Sequence, residues 1–131
     1  MMMVERKNNS VKPRFGKHFL CEEFACPCCG TCLMDRDFMI ALNQLRLIAG
    51  RPIKINSGYR CAKHNKAVGG ASHSQHLVGR AADIVIDGLT LNEMVELAER
   101  IDVFCNGGIG IYPQAGFIHV DNRGYKARWK R

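Results

Sequence analysis

Ser74-Gln75-His76-Leu77-Val78-Gly79-Arg80-Ala81-Ala82-Asp83-Ile84-Val85-Ile86 carries a histidine and an aspartate seven residues apart on the way into an apolar run. The last six of these residues read as a strand entering the core, which sets the Asp83 carboxylate on otherwise apolar sequence. Buried without a partner it would cost several kcal/mol, so a metal or a cation is expected beside it. Gly79 and Ala81 put minimal side chains between the two polar residues, which lets the chain turn tightly and pack close to an ion. A second histidine returns in another strand-like run, Phe117-Ile118-His119-Val120-Asp121. A lone histidine is usually a solvated or hydrogen-bonded side chain; the context of these two singles them out. Two neutral imidazoles and one carboxylate suit a catalytic Zn²⁺. Three protein ligands leave the fourth tetrahedral position to water, whose pKa the metal lowers toward roughly 7. His76, Asp83 and His119 are therefore the candidate metal ligands.

Outward from this stretch the chain alternates short apolar periods with turn signals. Asp35 is placed as an N-cap, with Met34 and Met39 as a hydrophobic staple across it. Phe38, Ala41, Leu42, Leu45 and Ile48 recur at helical spacing, and Gly50 followed by Pro52 ends that helix. Residues 52–56 form a short strand, Ser57-Gly58 a turn, residues 61–67 a helical turn, and residues 68–73 a Gly-rich loop that delivers His76. After the strand, Asp87-Gly88 turns, and Thr90-x-x-Glu93 is a capping box for a helix over residues 91–101. Residues 108–112 and 116–121 read as a β-hairpin. Helices and antiparallel strands are segregated rather than alternating as βαβ units. The expected class is α+β: one domain, with a small antiparallel sheet packed with helices.

At 131 residues the chain is long enough for a single core. Residues 1–17 read as a flexible basic arm. Residues 18–131 read as the folded domain, with a cysteine-rich lead-in and a basic C-terminal tail. The net charge of +7 favours anionic partners, either nucleic acid or a cell wall bearing carboxylates and phosphates. The basic residues gather at the two ends, where such runs are either solvated tails or wall-docking elements. Nucleic acid is disfavoured because no stripe of aromatic residues interleaves the basic ones. No apolar run approaches the ~18 residues of a membrane span. The first residues lack the apolar core of a secretory signal, so a protein that is cytoplasmic on synthesis is expected, reaching a wall through phage-type release.

Seven cysteines are many for this length, and four crowd into Cys26-Pro27-Cys28-Cys29-Gly30-Thr31-Cys32. An odd count argues against complete pairing. Cys26-x-x-Cys29 and Cys29-x-x-Cys32 both have zinc-knuckle spacing, and Cys61 is placed to fold back onto them. Cys26, Cys29, Cys32 and Cys61 thus form either a second, structural metal site or a disulfide staple. Cys21 and Cys105 read as buried small hydrophobes.

Ser74-x-His76-x-x-Gly79-x-Ala81-x-Asp83 resembles the zinc-binding signature of the D-Ala-D-Ala metallopeptidases, a family of zinc carboxypeptidases and phage endolysins. The resemblance extends to Ile55-Asn56-Ser57-Gly58-Tyr59-Arg60, to the residues from His64 to Ala71, and to Gly108-Ile109-Gly110-Ile111-Tyr112 before Phe117-Ile118-His119-Val120-Asp121. It implies a hedgehog/D-Ala-D-Ala-peptidase-like fold and hydrolysis of peptidoglycan stem or cross-link peptides, with His76, Asp83 and His119 on zinc. Arg60 is the next candidate: its planar guanidinium suits a substrate carboxylate or an oxyanion, and the alternative is a structural ion pair. Tyr59 and Ser74 are candidate substrate contacts, although a loop-ordering bond is the commoner fate of such a serine.

The general base is open. Some family members carry a Glu three residues before the last His ligand, where this chain has Gly116. Asp121 is the nearest substitute, since residues i and i+2 of a strand share a face. Its alternative role is to hold a ligand or Arg60 in an outer hydrogen bond. His73 is a further candidate. Should none serve, the resemblance to hedgehog signalling domains implies a second class: a zinc-dependent module that binds wall fragments or other polyanions without cutting them.

Overall fold

Asp35 starts the main helix as its sequence position requires. Its Oδ2 accepts the Phe38 N–H at 3.0 Å, and the helix α1 runs Arg36–Ala49 before Gly50 closes it in the left-handed conformation. These features belong to a computed structural model that describes residues 14–131 and the backbone of residues 3–6. Phe38, Met39, Ala41, Leu42 and Leu45 form its buried face. Ile48, expected on that face, is largely exposed, whereas Ala49 in the same last turn packs against the core.

The other elements are β1 (Met3–Arg6), β2 (Cys32–Asp35), β3 (Ile53–Ser57), α2 (Ala62–Ala67), β4 (Ala81–Ile86), α3 (Leu91–Ala98), α4 (Asp102–Cys105), β5 (Gly108–Tyr112), β6 (Phe117–Asp121) and β7 (Ala127–Lys130). The Thr90–Glu93 capping box forms in both directions. The helix it starts stops at Ala98, short of the expected residue 101, and the chain turns there into α4. Five strands build the central sheet in the order β3-β4-β6-β5-β7. Every neighbouring pair is antiparallel except β5 and β7.

Period-two alternation assigns the two faces of this sheet different tasks. Ala82, Ile84, Ile109, Ile118 and Val120 are fully buried and join one core with α1, α3 and α4 residues such as Leu42, Met94 and Phe104. The opposite face carries Asp83, His119 and Asp121. The register pairs Asp83 with His119 and Ala81 with Asp121. A one-residue slip would send all three polar groups into the apolar layer, so the core fixes the site.

Two expectations about the ends need correction. The 1–17 arm is not free throughout: Met3–Arg6 pairs antiparallel with Cys32–Asp35, and Phe15 is buried in the core. Phe15 and Phe19 both meet Phe24 edge-on at 5.7 Å, and that aromatic packing holds the segment down. Residues 1, 2 and 7–13 of the expected arm lie outside the described residues. The basic C-terminal tail is largely strand β7, added parallel to β5, and Arg128 forks onto Glu99 at 2.6 and 3.0 Å. Among the described residues no helix is long and apolar enough to cross a membrane.

Candidate metal centre

Gly79 links His76 to Asp83 in the left-handed conformation (φ 69°). A Cβ at this position would also run into the Leu33 carbonyl, so only glycine closes the turn. Ser74 caps the 3₁₀ turn Gln75–Val78 by accepting the His76 N–H at 3.2 Å. The turn brings His76 over Asp83, while β6 brings His119 beside it. All three are buried, and one ligand atom from each lies within 4.8 Å of the other two.

The hydrogen bonds assign the atoms. His76 Nδ1 lies 2.7 Å from the Gly58 carbonyl; that acceptor requires an N–H, which leaves Nε2 bare toward Asp83 Oδ1 at 3.2 Å. His119 is turned the other way: Nε2 lies 2.7 Å from Asp121 Oδ2 and Nδ1 lies 3.0 Å from Asp83 Oδ1. Bonds of about 2.0–2.1 Å to a tetrahedral ion imply ligand–ligand edges of about 3.3 Å. The two spacings from Asp83 Oδ1 are close to that, and each imidazole has its far nitrogen held as a metal-binding histidine requires. The three residues therefore fit a metal ion.

Burial alone would raise the Asp83 pKa, but the neighbouring His119 and His76 outweigh it and hold the carboxyl well below the usual range. His119 is buried too, which works against its charge. Its bonds to Asp121 and Asp83 prevail, and its pKa lies above the ordinary imidazole value.

Arg60 reaches the other oxygen of the same carboxylate, with Nη2 3.3 Å from Asp83 Oδ2. Its Nε donates to Ser57 Oγ at 3.3 Å and its Nη1 to Asn65 Oδ1 at 3.2 Å. The guanidinium is thus an ion-pair partner of a candidate ligand, and it still has 15% of its side chain exposed and N–H donors to spare.

Asp121 does not face the space between the three ligands. It is fully buried behind His119, accepts the Gly108 N–H at 2.8 Å, and is gripped by Arg123, whose Nη2 donates at 2.7 Å and Nε at 3.0 Å. Burial pushes its pKa up, but His119 and Arg123 together hold it far below the usual value. Of the two roles the sequence left open, this placement behind the His119 ring favours the orienting one. His73 is exposed, and Tyr59 is half-buried against the core.

Several contributors escaped the sequence. Trp129, on the edge strand β7, leans on the His119 ring at 5.0 Å between centroids and donates from Nε1 to Tyr112 Oη at 2.9 Å. Gly110 stands in register between His119 and Trp129, and a Cβ there would collide with the indole. Gly108 likewise leaves room for the Asp121 carboxylate. The alternating glycines of Gly108-Ile109-Gly110 were the available signal: one face of that strand is kept bare.

The cysteines gather only in part. Cys26, Cys29 and Cys61 bring their sulfurs within 4.8 Å of one another. Cys32 does not join them: it is buried in β2, where alternation turns it into the core. Cys21 is buried as expected, whereas Cys105 is partly exposed. Hydrogen bonds with Thr31 draw the exposed Cys29 thiol down to about 7.

A family model described as Peptidase M15 matches residues 17–121, a stretch that holds all three candidate ligands, Arg60 and Asp121. The chain is 39% identical over 83 residues to the probable peptidoglycan L,D-endopeptidase MepK of Haemophilus influenzae, covering 60% of this chain and 42% of that protein. It is 33% identical over 76 residues to the peptidoglycan L,D-endopeptidase MepK of Escherichia coli, covering 54% and 40%. The chain spans about two-fifths of the length of these relatives. With the family model matched across most of its length, the chain belongs to the peptidase M15 family, the metallopeptidases that its Ser74-to-Asp83 signature resembles.

Proposed function

We propose that this chain is a zinc-dependent peptidase that cuts peptidoglycan peptides, with an internal bond of the stem or cross-link as its target. The observation that carries the reading is the convergence of His76 Nε2, Asp83 and His119 Nδ1, with the outer nitrogen of each imidazole tied to Gly58 or Asp121. When bound there, Zn²⁺ supplies Lewis acidity toward a scissile carbonyl and activates water near neutral pH. The chain's own residues do the rest. His76, Asp83 and His119 hold the ion. Asp121 and Gly58 fix the two imidazole tautomers, and Arg60 braces Asp83 while presenting its remaining N–H donors to a substrate carboxylate or oxyanion. The relatives' names favour an L,D-endopeptidase cut over carboxypeptidase trimming.

The test is mass spectrometry of purified muropeptides incubated with the zinc-loaded protein. Endopeptidase action yields two peptide fragments from a cross-linked dimer or an internally cut stem, and carboxypeptidase action releases a single terminal residue. Protein that holds zinc and wall fragments yet releases no product would return the binding-module reading.

A further inference from the structure

The fold brings the sulfurs of Cys26 and Cys29, on the turn Cys26-Pro27-Cys28-Cys29-Gly30, together with that of Cys61, which opens Cys61-Ala62-Lys63-His64. Zinc knuckles have this form: two ligands three residues apart on a tight turn, met by a second pair from elsewhere in the chain. The first turn closes as a knuckle does, with the Gly30 N–H donating to the Cys26 carbonyl at 2.7 Å, the Cys26 N–H to the Thr31 carbonyl at 2.8 Å, and Gly30 in the left-handed conformation. Backbone N–H groups aim at the sulfurs: Cys61 N lies 3.4 Å from Cys26 Sγ, and His64 N lies 3.4 Å from Cys61 Sγ. Donors placed this way favour thiolates over thiols. The Cys26 and Cys61 sulfurs are 3.6 Å apart, well beyond the ~2.05 Å of a disulfide and near the edge of a tetrahedral thiolate site with bonds of about 2.3 Å.

We propose that Cys26, Cys29 and Cys61, with His64 as fourth ligand, bind a second, structural zinc ion separate from the His76–Asp83–His119 centre. His64 lies three residues after Cys61 in α2, on the same side of the helix, with its side chain half-buried. Binding releases the thiol protons to solvent and leaves a closed four-ligand site, which is structural rather than catalytic.

The position gives this ion a task. Residues 58–61 carry the Gly58 carbonyl that orients His76 and the guanidinium that braces Asp83. The segment is stapled to the lead-in by the Tyr59 N–H on the Phe24 carbonyl at 2.9 Å, and a Cβ on Gly58 would strike the Phe24 backbone. An ion joining Cys26 to Cys61 locks this contact from the far side.

The test counts metal by elemental analysis in protein reconstituted with Zn²⁺ and dialysed. Wild type should hold two ions per chain, His76→Ala one, Cys29→Ser one, and the double variant none. Cys29 is chosen because it is exposed, so its replacement leaves the core intact. Co²⁺-loaded His76→Ala should show the near-ultraviolet thiolate charge-transfer band, and Cys29→Ser should weaken it. His64→Ala should weaken zinc affinity at this site by at least about 10-fold, no less than the loss of an outer hydrogen-bond partner. A wild type holding one ion that Cys29→Ser leaves in place would overturn the proposal. So would a Cys26–Cys61 disulfide found by non-reducing peptide mapping, and unchanged affinity in His64→Ala would overturn the four-ligand site.

Discussion

His119 meets Asp121 Oδ2 through Nε2 at 2.7 Å, on the ring edge opposite the Nδ1 that faces Asp83. The two residues are alternate members of one strand, so the carboxylate sets the tautomer of a candidate ligand from behind it. Asp121→Asn keeps the shape but removes the charge that holds both His119 and Arg123. Metal affinity should fall by about 10–100-fold, as read by competition with a chromogenic chelator, while turnover at saturating metal stays near wild type. A turnover loss of roughly 10²–10⁴ with metal content intact would make Asp121 the proton acceptor after all.

Arg60 holds three partners at once, Ser57, Asn65 and Asp83. An ammonium cannot span them, and it lacks the planar fork for a carboxylate or oxyanion. Arg60→Lys should leave folding and the metal count unchanged and lower turnover by about 10-fold or more, the scale on which a lost transition-state contact is read. Wild-type kinetics would confine Arg60 to a structural ion pair.

The raised pKa of His119 gives the metal-free protein a pH signature. Protonated His119 stabilises the metal-free fold fully below the ordinary imidazole value, and this contribution is lost as pH rises through the raised folded value. A metal ligand must be the neutral ring, so an incoming ion displaces that proton. The rise in Tm on adding Zn²⁺ should therefore be smallest in acid and widen as pH climbs past about 6.5. Melts with and without metal from about pH 5.5 to 8.5 would measure it. A constant gain would mean that no proton leaves His119.

The clustering of His76, Asp83 and His119 was legible because local sequence carries it: an acid on an apolar strand, small residues before it, and a histidine on the partner strand. The helix cap at Asp35 and the capping box at Thr90 were legible for the same reason, as both are contacts within four residues. What the sequence did not disclose depends on distant pairing. Ala127–Lys130 looked like a basic tail because its strand character comes from docking on β5. Met3–Arg6 looked free because its partner is almost thirty residues away in β2. The surroundings of Asp121 were not legible either, because they depend on how the Arg123 side chain folds back onto it.

Gly110 and Trp129 supply the last prediction. Gly110 lies in register between His119 and Trp129, and the space a Cβ would need is taken by the indole. Gly110→Ala must therefore push Trp129 off the His119 ring or bow the edge strand. Overpacking of this kind costs about 1–3 kcal/mol, readable as a lower urea midpoint at unchanged slope. Trp129 is the single tryptophan, so its emission should shift to the red as the ring moves toward water, and metal affinity should weaken as His119 loses its neighbour. A double-mutant cycle isolates the cause. In a Trp129→Ala background the glycine substitution should cost little, because the obstructing ring is gone. Equal costs in both backgrounds would place the strain in the β5 backbone, and the bare face of that strand would then serve some purpose other than seating Trp129.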